Sequence, residues 1–176
     1  SESLTLIIER PDYSAFHHVS AEISLFSRSP GFPDPYTLPA GAGIVYGYHG
    51  LFGLPWDIGL SVMWNGFSSL REEFGTSFIL WPAVQTGYEK MFVFPSGFRL
   101  LAAAGLGYGH YIRYHAFLDE EYWGFRPFVQ AYVNGGIITD VRTIFTLGFR
   151  YTLVFDVRLE HLFGLYMRVG YVFPRD

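Results

Sequence analysis

His18, Ser20 and Glu22 stand at alternate positions and supply a base, a nucleophile and a carboxylate, the ingredients of a serine hydrolase. A productive base must reach the serine within hydrogen-bond distance and be oriented by a third group. Residues two apart on one strand are ~7 Å apart, so this spacing argues against catalysis and no enzyme is expected. The six histidines, His17, His18, His49, His110, His115 and His161, show no ligand spacing on one face with a carboxylate partner. Cysteine is absent, which excludes disulfides and thiolate sites. The expectation is therefore no metal and no cofactor. A second set of polar groups is scattered singly through apolar surroundings: Glu22, Asp57 and Glu89 against Arg99, Arg113, Arg126, Arg150 and Arg168. A third is the acidic run Asp119, Glu120 and Glu121, which either binds divalent cations that bridge to a partner or is simply a solvated loop.

The elements that carry these groups alternate with a period of two, the signature of strands. In the last stretch Phe163, Leu165, Met167, Val169, Tyr171 and Phe173 form one apolar row, while Gly164, Tyr166, Arg168, Gly170 and Val172 form the other. An oily row that ends in aromatics, opposite a row holding a charge, suits a strand facing lipid outward and a polar lumen inward. Composition agrees: half the residues are apolar, 20% aromatic and only 16% charged, below the roughly 25% charged of soluble domains. The longest uncharged stretch, Pro35 to Trp56, is cut by Pro39, Pro55, His49 and glycines, so a helical span is not expected. Net charge is −4 without a basic cluster, which argues against nucleic acid. No charged segment followed by an apolar one opens the chain, so any export signal is expected to have been removed or never present.

Eight strands follow from the pattern, in one domain over residues 15–173, with 1–14 an N-terminal arm or the lower part of strand one and 174–176 a tail. The first is Ala15 to Phe26, with His18, Ser20, Glu22 and Ser24 inward. Strand two is Ala42 to His49, and strand three carries Trp56, Ile58, Leu60, Val62 and Trp64 outward. Strand four, Phe78 to Glu89, contains Pro82, which predicts a bulge or a position near the rim. Strand five, Phe98 to Arg113, turns Gly105, Gly107 and Gly109 inward; these leave room for bulky side chains or permit sharp coiling. Strand six is Phe125 to Asn134, strand seven covers Thr143 to Leu153, and strand eight is Phe163 to Phe173. Ser27 to Pro39, Gly66 to Ser77 and Tyr114 to Gly124 read as long loops. Leu51 to Pro55, Lys90 to Gly97 and Gly135 to Val141 read as short turns. Trp56, Trp64, Tyr88, Tyr108, Tyr171 and Phe173 are placed as interfacial aromatics.

Small barrels have interiors just wide enough for side chains to fill. The inward charges therefore read either as a salt-bridge and hydrogen-bond network that closes the lumen, or as an arginine-lined path for an anionic or amphipathic solute. The second reading needs a gap, which Gly105, Gly107 and Gly109 are placed to supply.

The pattern resembles the small eight-stranded outer-membrane barrels of the OmpA, OmpX and OmpW type. Phe125-Arg126-Pro127-Phe128-Val129 is similar to a strand-opening phrase of these families, and the row from Gly164 through Met167, Val169, Tyr171 and Phe173 is similar to their terminal assembly signal. Two departures are Pro174, Arg175 and Asp176 after the last aromatic, and Phe163 where that signal usually has a polar residue. The resemblance implies an all-β transmembrane up-and-down barrel in a bacterial outer membrane, with periplasmic termini. It implies as partners the bilayer, lipopolysaccharide or other outer-leaflet lipid, the outer-membrane assembly machinery, and an extracellular ligand or host protein. The role it implies first is structural or surface-interacting, through the long loops; a narrow channel for small hydrophobic or anionic solutes comes second and a lipid-modifying enzyme third. A soluble lipocalin-type barrel is the competing fold, and the charge-bearing inward rows argue against it.

Overall fold

The computed structural model describes residues 12–26, 40–68, 76–95, 98–117, 120–156 and 159–175. Eight antiparallel strands pair in sequence order, and β1 pairs with β8 to close a barrel. They are β1 (Asp12–Phe26), β2 (Ala40–His49), β3 (Trp56–Ser68), β4 (Thr76–Val93), β5 (Arg99–Phe117), β6 (Glu120–Ile138), β7 (Thr143–Phe155) and β8 (Leu159–Arg175). Closure leaves no sheet edge, so each strand's backbone groups have a neighbour on both sides.

The inward and outward rows fall where the alternation places them. On β7 and β8, for example, Thr146, Arg150, Thr152, Tyr166 and Arg168 are buried while Phe145, Leu147, Phe149, Leu165 and Met167 are exposed. The strands are longer than the apolar rows. β1 opens at Asp12, with a register shift between Asp12 and Phe16 against β8. β3 runs on to Ser68 and β4 begins at Thr76, which trims the expected Gly66–Ser77 loop from both ends.

The expected loop Tyr114 to Gly124 is corrected: β5 and β6 stay paired up to Phe117 opposite Glu120, with only residues 118–119 between the strands. Pairing is a backbone property and needs no apolar row, and Tyr114, Tyr122 and Trp123 are residue types that favour strands. Residues 1–11, the loop residues 27–39, Asp119 and Asp176 lie outside the described residues.

Pro82 makes no bulge. The β3–β4 register runs through Val62 opposite Pro82 without a break, and the β4–β5 register is the same before and after it. The ladder to β5 instead lacks the pairs between Leu80–Ile112 and Ala83–Gly109, as expected of a residue without an N–H. At the terminal side, β2 and β3 are joined by a 3-10 turn, Leu51–Gly53, entered through Gly50 at φ 87°.

Candidate functional site

The lumen is layered. At the end carrying the termini, Phe16, Leu101, Ile138, Ile144 and Val172 pack into one buried apolar cluster, with Met91 against it. At the opposite end a larger cluster gathers Phe26, Met63, Ile79, Trp81, Tyr111, Phe128, Val154 and Leu162. Every polar side chain of the inward rows in between is caught between these two apolar layers. On β1, for instance, His18, Ser20, Glu22 and Ser24 separate Phe16 from Phe26. Trp81 centres the second layer, stacked on Phe26 at 5.7 Å and edge-on to Tyr111 at 5.0 Å and Phe128 at 5.3 Å.

Between the layers, Glu22 is the hub. Arg150 Nη2 donates to both its carboxylate oxygens at 2.7 and 3.0 Å, and Arg168 Nε donates to Oε2 at 2.6 Å. Arg168 also donates to Gln85 Oε1 at 3.3 Å, and Gln85 Nε2 donates to Ser61 Oγ at 2.8 Å. The two guanidinium groups lie over the Tyr166 ring at 4.7 and 4.6 Å, and Asn134 donates to the Tyr166 hydroxyl at 3.0 Å. Two arginines around one carboxylate leave one positive charge, spread over an aromatic face and one amide oxygen, that of Gln85.

Toward the terminal end lie two histidine–carboxylate pairs, His18 Nε2 to Asp57 Oδ1 at 3.9 Å and His49 Nδ1 to Glu89 Oε1 at 3.1 Å. Phe16 stacks on the His49 ring at 4.8 Å.

The five inward arginines thus have separate fates. Arg150 and Arg168 meet at Glu22. Arg99 sits at the terminal rim, 3.5 Å from the exposed Asp140, and Arg126 at the loop rim donates to Asp156 at 2.6 Å. Arg113 stands on β5 in register with Ile79 and Gly124. Arg99, Arg126, Arg150 and Arg168, the four whose side chains are described, do not form one continuous lining.

The inward glycines leave no gap either. A Cβ at Gly105 would overlap the Tyr132 hydroxyl, one at Gly107 would stand 2.5 Å from Gln130 Nε2, and one at Gly109 would be 2.6 Å from the Phe128 ring. Large side chains on β6 occupy the space that these glycines vacate.

The His18–Ser20–Glu22 row takes an unexpected form. His18 Nδ1 lies 3.5 Å from Ser20 Oγ, closer than strand spacing alone suggests, and the carboxylate near its other nitrogen is Asp57, not Glu22. Order and chemistry match Ser–His–Asp. Both distances are long for a working triad, and the group is enclosed between the apolar layers. Among the described residues, no group of three or more histidine and carboxylate side chains is placed to hold a metal ion.

Outside, the chemistry inverts. Ile44, Leu60, Val62, Leu106, Val133, Leu147, Phe149 and Met167 are at least half exposed, far more apolar surface than a water-soluble protein presents. Trp56, Trp64, Tyr88, Tyr108, Tyr171 and Phe173 all point outward. Trp56 meets Tyr88 edge-on at 6.5 Å, and Tyr171 meets Phe173 at 5.0 Å. Three outward histidines each have a tyrosine hydroxyl as hydrogen-bond partner: His17 with Tyr46 at 2.7 Å, His110 with Tyr108 at 3.3 Å and His161 with Tyr151 at 2.6 Å.

No family model matches the chain, and no relative is found among curated proteins. Solved structures do match in fold. Neisserial surface protein A superposes with a TM-score of 0.61 at 9% identity, covering 92% of this chain and 97% of that one. Ail, the attachment invasion locus protein of Yersinia pestis, superposes with a TM-score of 0.52 at 13% identity, covering 90% and 97%. The same figures hold for Ail in complex with the heparin analogue sucrose octasulfate. The chain has the fold of the small eight-stranded outer-membrane barrels.

Proposed function

We propose that this chain is an integral protein of a bacterial outer membrane whose barrel is a closed anchor, and whose activity lies in contacts made at the loop side. The observation that carries this reading is the pair of apolar layers that sandwiches the Glu22–Arg150–Arg168 cluster. Two packed apolar layers across the lumen offer no path for solute among the described residues, and a hydrogen-bonded polar core between them rigidifies a platform. The termini lie on the short-turn side, periplasmic in such barrels, and the terminal row ending at Phe173 is the segment that the assembly machinery would read. Trp56, Trp64, Tyr88, Tyr108, Tyr171 and Phe173 anchor the barrel at the interfaces.

Segments at the loop side carry Arg28, Arg71, Arg113, Arg126 and Arg158 against Asp34, Glu72, Glu73, Asp119, Glu120, Glu121, Asp156 and Glu160, with Asp156 held by Arg126. Ail is known in complex with the heparin analogue sucrose octasulfate; the acidic balance here favours a basic or cation-bridged partner, such as a host protein or lipopolysaccharide held through divalent ions.

The test is ion and solute flux through liposomes containing the refolded protein, beside Arg99→Ala and Arg126→Ala. Inserted protein that passes no solute supports the closed anchor. Flux that these rim substitutions alter would overturn it and establish a narrow channel.

A further inference from the structure

The loop-side apolar layer and the Glu22 cluster do not pack flush against each other. Where they meet there is an internal cavity in which the centre of a water-sized sphere can range over about 10 Å³, room for one water molecule or one ion of similar size. All the residues that line it are buried. Met63 and Phe128 supply apolar sides, and Trp81, Gln130 and Arg150 bring polar groups from β4, β6 and β7.

Those polar groups have the same unmet need. Trp81 Nε1, Gln130 Nε2 and Arg150 Nε each lack a hydrogen-bond partner among the described residues, and all three side chains belong to residues more than nine-tenths buried. A buried donor left unpaired costs the desolvation of that group, and folded proteins keep few of them. Three on the wall of one cavity call for a shared acceptor. Indole, amide and guanidinium N–H groups can only donate. Ser61 and Thr152 also line the cavity; Ser61 Oγ already accepts from Gln85, so its own proton is left to give.

Charge points the same way. Arg150 is the charged residue of the lining, and no carboxylate belongs to it. Glu22, which holds Arg150 Nη2, is shared with Arg168 and so cannot neutralise both. Asp57 and Glu89 lie toward the terminal end, each beside a histidine. A water molecule accepts two hydrogen bonds and brings two protons that need acceptors of their own, so it would leave one N–H unpaired. A monatomic anion accepts from all three and supplies the missing charge. Burial of an ion is tolerated only where it is paired and hydrogen-bonded, and this lining provides both. Sulfate or phosphate is too large for a space one sphere wide.

We propose that this cavity binds one halide ion, chloride, held by the N–H groups of Trp81, Gln130 and Arg150. The ion ties Trp81, the centre of the sealing layer, to the charge cluster beneath it.

The experiment crystallises the refolded full chain from non-ionic detergent in sodium bromide and in sodium gluconate, whose anion is too large for the cavity. In parallel, the urea unfolding midpoint is followed as chloride replaces gluconate at constant ionic strength. An anomalous bromine peak is expected in the cavity, within hydrogen-bond reach of the three nitrogens. The midpoint should rise with chloride, as for any ligand that binds only the folded state. Trp64→Phe, which removes an indole N–H from the outer wall, should keep that dependence. Trp81→Phe keeps a ring without the donor and should need about tenfold more chloride or higher for the same rise. Gln130→Glu brings its own carboxylate to the site, so its midpoint should ignore chloride and exceed the parent's in gluconate. If Gln130→Glu does not fold, Trp81→Phe and the bromide crystal of the parent chain decide.

Cavity density without anomalous signal in bromide, together with a midpoint indifferent to chloride, means a water molecule and overturns the site. A rise of equal size in the parent, Trp64→Phe and Trp81→Phe reports screening of surface charge and overturns it as well, as do bromine peaks confined to the outer surface.

Discussion

Arg150 reaches past β8 from β7 to grip both oxygens of Glu22 on β1, at 2.7 and 3.0 Å, although the two are 128 positions apart in sequence. With Arg168 on β8 at 2.6 Å, the contact ties three strands around the closing seam of the barrel, where β1 meets β8. Each charge in it is buried, so each depends on the others.

Removing the carboxylate alone is therefore costly. Glu22→Gln leaves two buried guanidinium groups without a counter-charge and should destabilise the barrel by about 3–5 kcal/mol, measured by urea unfolding in lipid bilayers. Replacing all three at once, Glu22→Leu with Arg150→Met and Arg168→Met, should cost far less, because no charge is left stranded. If the single and triple variants unfold alike, the cluster is not the coupled unit described here.

Depth in the bilayer sets the cost of outward charge. Met167 stands midway between His161 and Phe173 on β8, so Met167→Arg should cost about 2–4 kcal/mol and Phe173→Arg about 0–1 kcal/mol. The same unfolding measurement decides it. Equal small effects would mean that this face does not meet hydrocarbon.

Gly105 should resist any side chain. A Cβ there would overlap both the Thr86 carbonyl oxygen and the Tyr132 hydroxyl, and the first is backbone that cannot turn away. Gly105→Ala is expected to cost about 1–3 kcal/mol. At Gly164 the nearest atom is the Phe26 ring at 3.1 Å, which can shift, so Gly164→Ala should cost less. A reversed order would show that β6 does not fill the space beside β5.

The loop-side layer depends on Trp81. Trp81→Ala removes three ring contacts and should cost about 3–5 kcal/mol. Liposome flux should stay at background, because the Phe16–Leu101–Val172 layer still closes the other end. Conduction by Trp81→Ala alone would show that the terminal layer does not seal.

Much of this architecture is legible in one dimension. Alternation is local, since neighbouring side chains on a strand point to opposite faces whatever the strand pairs with. Rows such as Phe163 to Phe173 thus announce strand, outward face and barrel class together. Alternation also places Glu22, Arg150 and Arg168 inward, but it cannot say that they meet while Arg99 and Arg126 go to opposite rims. Nor can it say that His18 turns toward Asp57, or that Tyr132, Gln130 and Phe128 fill the space beside three glycines. Those outcomes depend on which residues of distant strands share a height in the lumen. Register and strand stagger decide that only once the sheet closes on itself, so the sequence by itself determined which residues face inward, and the closed barrel decided which of them touch.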